Sequence, residues 1–266
     1  GLVQRAERAL SGDETPRFSF LHDRVQQSAY ALIPAERRQM LHLTVGRLLR
    51  ARVTEEQRDP RRAAPSGMAP PGGRSAATGG QTDIALFDIV HHFNLGAELI
   101  HNAAEKREVA ALNLEAALRA KASTAHDSAL EMLLAGQRLL DAEAWQADPK
   151  LCFELHLELA ESQYLCGHFD AAQQAFADLL TKARNRIERA RVIRLRGVQH
   201  ENMAHYAEAL ANAREGLALF DLALPEAEGE QAAALEREIA AIEILRGGRG
   251  IAELVDLPVM TDPDTR

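Results

Sequence analysis

Aromatic residues and cysteines are scarce in this sequence. Phe, Trp and Tyr make up 5% of the 266 residues, and the only cysteines are Cys152 and Cys166. Few aromatics and abundant alanine disfavour a β-sandwich, and they favour helices that pack closely through small side chains. Two cysteines cannot form a disulfide framework, so we expect reduced core thiols in a cytoplasmic protein.

The chain also lacks a run of about 18 apolar residues, and residue 1 is not followed by a charged region and an apolar core. These absences predict no membrane-spanning helix and no signal peptide. The formal net charge of −8 disfavours a general nucleic-acid binder, whose surface would be basic. We therefore expect neither nucleic acid nor membrane as a partner.

Motifs for catalysis are missing as well. Residues 67–75 approach the spacing of a phosphate loop, but Gly73 occupies the position of the required lysine. His200 and His205 are five residues apart, which predicts that they point to different faces of one helix and do not share a metal. We expect no catalytic residue, no metal and no cofactor in this chain itself.

A strand-to-helix junction lies near the start of the chain. Phe18, Phe20 and His22 alternate with smaller or outward residues, which is the period of a strand. Asp23 and Gln26 then have the spacing of a capping box at a helix start. Because helix N-termini favour anions, a histidine at this junction could face a phosphate.

The remaining chain is predicted to be helical around one insertion. Residues 1–21 are expected to form a hairpin, and helices follow over 24–32 and from residue 34 to about 53. Residues 55–82 are rich in Pro, Gly, Ser and Ala, with almost no large apolar residue. We expect them to be a disordered insertion, since they cannot bury enough surface to offset their ordering entropy.

Three similar segments follow, at residues 125–129, 168–172 and 205–209. Each ends in an alanine, and these alanines are 43 and then 37 residues apart. This pattern predicts divergent repeats, in which stacked helix pairs cover the apolar face that one pair would expose. Four helix pairs are expected, near residues 83–122, 126–166, 169–203 and 206–246.

A run of six arginines is the most distinct charge feature. The simplest interpretation is the end of one helix and the exposed face of the next. The alternative is a surface for an acidic partner. The six residues are Arg184, Arg186, Arg189, Arg191, Arg194 and Arg196.

Four segments, in this order, resemble one group of signalling proteins: residues 20–27, 41–42, 86–90 and 257–263. The group is the large bacterial and fungal sensor proteins that join a serine/threonine-kinase-like domain, a STAND ATPase, helical repeats, a GAF domain and often a histidine kinase. In STAND ATPases, a His-Asp motif closes the winged helix and its histidine contacts the β-phosphate of ADP. The resemblance assigns that nucleotide-sensing role to His22, with Asp23 as its orienting partner.

The resemblance implies a mainly α fold, a TPR-like α–α superhelix preceded by the C-terminal hairpin and helices of a winged-helix domain. It divides the chain into the winged-helix end (1–54), the insertion (55–82), TPR-like repeats (83–246) and a linker toward a downstream domain (247–266). The chain would be an internal piece of such a protein. His42, His92 and Asn94 also match the group, and we expect them to make contacts between helices.

The implied function is that of a regulatory signal-transduction segment with no catalysis of its own. It would relay nucleotide state and partner binding between an upstream ATPase core, which binds ATP or ADP with Mg²⁺, and downstream GAF and kinase domains. A protein or peptide could bind the repeat surface. Two alternatives remain open: a stand-alone TPR-like adaptor, and an independent enzyme such as a metal hydrolase.

Overall fold

The computed structural model describes residues 3–5, 18–20, 23–58 and 77–261, and in this part of the chain the fold is mainly helical. Two three-residue strands, β1 (Val3–Arg5) and β2 (Phe18–Phe20), pair antiparallel with Val3 opposite Phe20. Their pairing lies within the stretch where the sequence predicts a hairpin. The predicted mainly α fold class is confirmed.

Two compact units make up the chain, Gly1–Gly167 and His168–Arg266. The helices of the first unit are α1 (Asp23–Ala31), α2 (Ala35–Arg58), α3 (Ala77–Leu95), α4 (Ala103–Ala122), α5 (His126–Arg138), α6 (Ala142–Ala147) and α7 (Pro149–Leu165), with a short 3-10 helix at Ala97–Leu99. Those of the second unit are α8 (Phe169–Lys182), α9 (Arg186–Asn202), α10 (Tyr206–Ala218) and α11 (Glu228–Arg246), followed by a 3-10 helix at Ile251–Asp256.

Side-chain caps mark where several helices begin. Asn102 accepts hydrogen bonds from two backbone N–H groups in the first turn of α4, and Asp141 accepts one at the start of α6. Asp148 does the same before Pro149, the first residue of α7, where the missing N–H of proline costs nothing. Asn185 caps α9. These polar residues satisfy donors that a helix start leaves unpaired.

Small side chains form much of the core of the first unit. Ala110, Ala116 and Ala117 of α4 and Ala129 of α5 are completely buried, and the two helices pack on each other. Gly136 of α5 lies so close to α7 that an added Cβ would come within 2.8 Å of a Leu155 methyl group. The prediction of close helix packing through small residues is therefore confirmed.

Three of the four predicted helix pairs are in contact in the structure, α3 with α4, α5 with α7 and α8 with α9, but they are not the most closely packed pairs. The most extensive helix contacts are those of α4 with α5 and of α9 with α10, so these hairpins are joined by the repeated segments themselves. The sequence pattern had placed those segments between pairs. The expected last pair, residues 206–246, does not form as a packed hairpin, because α11 buries none of its residues.

The edges of the insertion also differ from those expected. Helix α2 continues to Arg58 and α3 begins at Ala77, so both helices extend into the 55–82 range. Residues 55–58 are good helix formers, and each added residue extends the hydrogen-bonded ladder of α2. The rest of the predicted insertion, residues 59–76, lies outside the described residues.

The three repeated segments share one backbone conformation. Each begins after a left-handed residue: Thr124 with φ +60°, Gly167 with φ +82° and Ala204 with φ +58°. The residue that follows each of them has φ between −84° and −86° and ψ between 61° and 66°. A helix starts immediately afterwards in all three cases, so the alignment made from the sequence corresponds to one repeated turn.

The left-handed residue of the repeated turn predicts opposite effects on stability for substitutions at Gly167 and at Ala204. A left-handed alanine is strained, whereas glycine adopts that conformation without a Cβ penalty. We expect Gly167→Ala to lower the free energy of unfolding by about 1 kcal/mol, although its Cβ would meet no atom within 4 Å. Ala204→Gly should raise it by ~0.5–1 kcal/mol. Urea titrations followed by circular dichroism measure both, and a loss of stability in Ala204→Gly would contradict the account.

A lysine joins α4 to α7 inside the first unit. Lys121 Nζ lies 2.5 Å from a Glu158 carboxylate oxygen and 2.7 Å from one of Glu161, and only 16% of the lysine side chain is exposed. Burial disfavours the charged lysine, but the hydrogen bonds of both glutamates outweigh it, so the pKa of Lys121 is raised. The lysine is therefore charged and holds two carboxylates at the helix crossing.

Removing this lysine should destabilise the first unit. Lys121→Met leaves two partly buried carboxylates facing each other, and we expect the free energy of unfolding to fall by about 1–3 kcal/mol. Arg50→Met is the control, since it breaks the more exposed Arg50–Glu108 pair and should cost less than about 1 kcal/mol. Equal losses in the two variants, measured by urea unfolding, would be inconsistent with this role for Lys121.

Candidate functional site

The two residues predicted to sense nucleotide lie at the edge of what the structure describes. His22 is outside the described residues, and Asp23 is the first residue of α1, with a side chain that is also outside them. Their contact with a diphosphate remains a prediction. The described part of the chain resumes at Asp23, where helix α1 begins.

A chain of hydrogen bonds links α1, α2 and α3. The Tyr30 hydroxyl of α1 lies 2.7 Å from His42 Nε2 of α2, and His42 Nδ1 lies 2.8 Å from His92 Nδ1 of α3. The predicted contacts of His42 and His92 between helices are confirmed. Two Nδ1 atoms at this distance need one donor and one acceptor, so the contact requires at least one neutral imidazole. Tyr30 was not anticipated from the sequence.

The surroundings favour the neutral form of both rings. Burial lowers the pKa of His42, and the positive charges of His92, His91 and Arg38 lower it further. Burial also lowers the pKa of His92, with a second contribution from His91 that Asp88 opposes. Both pKa values are therefore below the ordinary histidine value, and the hydrogen bond is intact at neutral pH.

A separate amide pair joins the next two helices. The Asn94 and Asn113 side chains donate to each other, over 2.8 Å and 2.9 Å, and so join α3 to α4. Asn113 is completely buried and also donates to the Val109 carbonyl. The expected helix-packing role of Asn94 is confirmed. From Tyr30 to Asn113, polar contacts thus connect four successive helices of the first unit.

Most of the six arginines make contacts within the second unit. Arg184 pairs with Glu188 at 2.9 Å, and Arg196 pairs with Glu215 of α10 at 2.7 Å. Arg189 donates to the Leu180 carbonyl of α8. Arg189 and Arg196 are half-buried and contact neighbouring helices, so they differ from the exposed helix face that the simplest interpretation expects.

The other three arginines have different surroundings. The Arg186 guanidinium lies 5.2 Å from the centre of the Phe220 ring, in cation–π geometry. Arg191 is half-buried near Glu188, whose pKa it helps to lower. Arg194 is exposed and lies on the edge of a groove. An acidic partner at the arginines remains a prediction, and Arg184, Arg186 and Arg194 are the exposed members of the run.

That groove, of about 490 Å³, runs between α9 and α10. The α9–α10 groove has a floor of small residues, including Gly197, Ala209, Ala213 and Gly216, beside apolar Ile193. A Cβ added at Gly197 or Gly216 would meet its nearest atom at an ordinary contact distance, 3.4 Å and 3.5 Å respectively. The sequence contained a signal for the α9–α10 groove. The third repeat has the small Ala213 at the position where the first two repeats have the fully buried Leu133 and Phe176.

The argument from the sequence about His200 and His205 is wrong. Helix α9 ends at Asn202, and the left-handed Ala204 turns the chain so that the two ring centres lie 5.9 Å apart. Within the described ranges, however, no three His, Cys, Asp or Glu side chains are grouped so that they could hold a metal ion. Cys152 and Cys166 are both reduced thiols; the first is buried and the second half-buried.

Comparisons with known proteins give one distant similarity. The chain is 24% identical, over an alignment of 178 residues that covers 63% of the chain, to a hybrid signal transduction histidine kinase G of Dictyostelium discoideum. The match spans about 5% of that protein's length. No protein family model matches the chain, and no solved structure matches it. None of the helices in the described part has the length and apolarity to cross a bilayer.

The histidine contact predicts a loss of stability in mild acid. Because the pKa values of His42 and His92 are lower in the folded chain, the unfolded chain binds more protons below about pH 6.5. The melting temperature should therefore fall as the pH is lowered from about 7.5 to about 5. His92→Gln should make this fall smaller, whereas His101→Gln, at an exposed position, should not. Identical pH profiles for all three proteins would contradict the prediction.

Proposed function

We propose that this chain is a regulatory, non-catalytic segment of a multidomain signalling protein that contains a STAND-type ATPase. The observation that carries the proposal is the similarity over 178 residues to a hybrid signal transduction histidine kinase. The resemblance of residues 20–27 to the His-Asp region of STAND ATPases supports it. The repeated turn supports the TPR-like character of the helices after residue 83.

In this proposal the first helices belong to a winged-helix end. His22 contacts the β-phosphate of ADP that is bound, with Mg²⁺, by an upstream ATPase core, and Asp23 orients the imidazole. The ADP-bound state is the resting state. Exchange of ADP for ATP changes the contacts of His22. Because the two nucleotides then stabilise two arrangements of the following helices to different extents, the equilibrium between these arrangements shifts.

The hydrogen-bonded chain offers a route for this change. Helix α1 starts directly after His22, and its Tyr30 contacts His42, which contacts His92. The Asn94–Asn113 pair continues from α3 to α4. A displacement of α1 would break or re-form polar contacts that have two discrete states, rather than deform the helices continuously. The downstream GAF and kinase domains would receive the outcome through the helical repeats.

A substitution at the sensing position tests the proposal in the intact protein. His22→Ala should shorten the lifetime of bound ADP by at least about tenfold, since a charge-assisted contact to the diphosphate is lost. Output of the kinase domain should rise without stimulus. The release of labelled ADP and the autophosphorylation rate are the two measurements, and His101→Ala is the control at an exposed histidine. Unchanged ADP retention together with unchanged output would refute the proposed role.

A second candidate function is a stand-alone adaptor, and the α9–α10 groove favours it. Such a module would bind a protein or peptide without reference to nucleotide. The two functions differ in one measurable respect, because partner binding by an adaptor is insensitive to His22→Ala and to the removal of ADP. Binding that changes with either treatment would favour the regulatory segment.

A further inference from the structure

Glycines bring α2 and α3 close together beside the two histidines that join these helices. A Cβ added at Gly96, directly after α3, would come within 2.8 Å of the Leu43 Cβ of α2. One added at Gly46 of α2 would come within 3.3 Å of the Phe93 ring of α3. Leu43 and Phe93 are buried. Because the two helices are in contact here without space between them, they form a fixed crossing.

Helix α1 is held much less firmly than α2 and α3. None of its described side chains is buried, and residues 32–34 connect it to α2. Within the described ranges, the side-chain hydrogen bonds between α1 and α2 are limited to that of Tyr30 with His42. The Arg38 guanidinium also lies 5.3 Å from the centre of the Tyr30 ring. A helix with so few buried contacts opens at a small cost in free energy, so its attachment depends on His42.

The number of protons on His42 and His92 decides whether their contact can exist. In the neutral pair one proton lies between the two Nδ1 atoms, and one of the two Nε2 atoms carries another. A first added proton binds the other Nε2 atom, so the hydrogen bond between the Nδ1 atoms survives. A second added proton places an N–H on both Nδ1 atoms, which are 2.8 Å apart and then lack an acceptor. Because two charged rings in contact also repel each other, the doubly protonated pair opens.

The opening of the pair also affects Tyr30. Since the α2–α3 crossing is fixed, the imidazoles separate by rotation of a ring and not by separation of the helices. His42 contacts His92 through Nδ1 and Tyr30 through Nε2 of the same ring. A rotation that moves Nδ1 away from His92 therefore also moves Nε2 away from the Tyr30 hydroxyl. Helix α1 then loses its hydrogen bond to α2.

We propose that the Tyr30–His42–His92 contact is a proton-operated switch: protonation of both histidines releases α1 from the fixed α2–α3 crossing, and deprotonation attaches it again. Because the pKa values of both histidines are lowered while α1 is attached, the released state binds more protons. The attachment is therefore fully stable above about pH 6.5 and is lost as the pH falls through the lowered pKa values. The switch is a property of these three helices and does not depend on a nucleotide contact of His22.

Charged side chains around the two rings set the pH at which α1 is released. In the part of the chain that the structure describes, His91 and Arg38 add positive charge, and Asp88, one turn before His92, adds negative charge. The centre of the His91 ring lies 5.7 Å from that of His92 and 6.3 Å from that of His42. The acidic side chains that the 3-10 helix and α4 direct toward α2 have other partners there: Glu98 bonds to Gln39, Glu105 to Arg47 and Glu108 to Arg50.

Hydrogen–deuterium exchange of the full chain, corrected for the intrinsic rate at each pH, tests the switch. From about pH 7.5 to about pH 5, the amides of α1 should lose at least about tenfold in protection, while those of α2 and α3 keep theirs. His92→Gln should keep α1 protected in acid, since a neutral amide oxygen can accept the Nδ1–H of a charged His42. Tyr30→Phe should leave α1 unprotected at both pH values. His101→Gln, at an exposed position, is the control and should behave like the unchanged protein.

Substitutions at two exposed neighbours test the switch without changing its three residues. His91→Gln removes a positive charge, so both rings bind protons more readily, and the midpoint of the loss of α1 protection should rise by about 0.3–0.5 pH units. Asp88→Asn removes a negative charge and should lower this midpoint by a similar amount. The proposal is overturned if α1 stays protected in acid, if α2 and α3 lose protection together with it, or if these two substitutions do not shift the midpoint in opposite directions. Release of α1 in acid by His92→Gln, or protection of α1 in Tyr30→Phe, would overturn it as well.

Discussion

A left-handed residue at the start of the repeated turn is the constraint on which two helical hairpins depend, that of α4 with α5 and that of α9 with α10. In all three turns the next helix starts two residues after it, and the alanine five residues after it is completely buried at Ala129 and Ala172. Two of these left-handed residues, Thr124 and Ala204, are not glycine. Their strain, of about 1–2 kcal/mol each, is offset by the packing of the hairpins that the turns allow.

The sequence predicted the composition of the core and the location of the turns, but not which helices pack most extensively. Helix periodicity and the repeated segment 125–129 are local signals, and each was found correctly. The extent of packing depends on which apolar faces meet, and much of the buried face of α4 is alanine, which carries little pattern. Tyr30 could not be found either, because its partner His42 is 12 residues away and on another helix.

The two units use their polar residues differently. In the first, the buried Asn113 and the half-buried Lys121 are paired with side chains of other helices, α3 and α7 respectively. In the second, the arginines of α9 stabilise its neighbours while one edge remains open, because Ala213 replaces a large residue. The first unit thus joins its helices by polar contacts, whereas the second leaves an apolar groove between α9 and α10.

Hydrogen–deuterium exchange of the intact protein tests this account most directly. Amide protection reports local opening, so it identifies the helices whose contacts depend on nucleotide state. With ADP replaced by a non-hydrolysable ATP analogue, the account predicts altered protection in α1, α2 and α3 in addition to the ATPase core. Changes confined to the ATPase core, with identical protection of α1–α3 in both states, would contradict it.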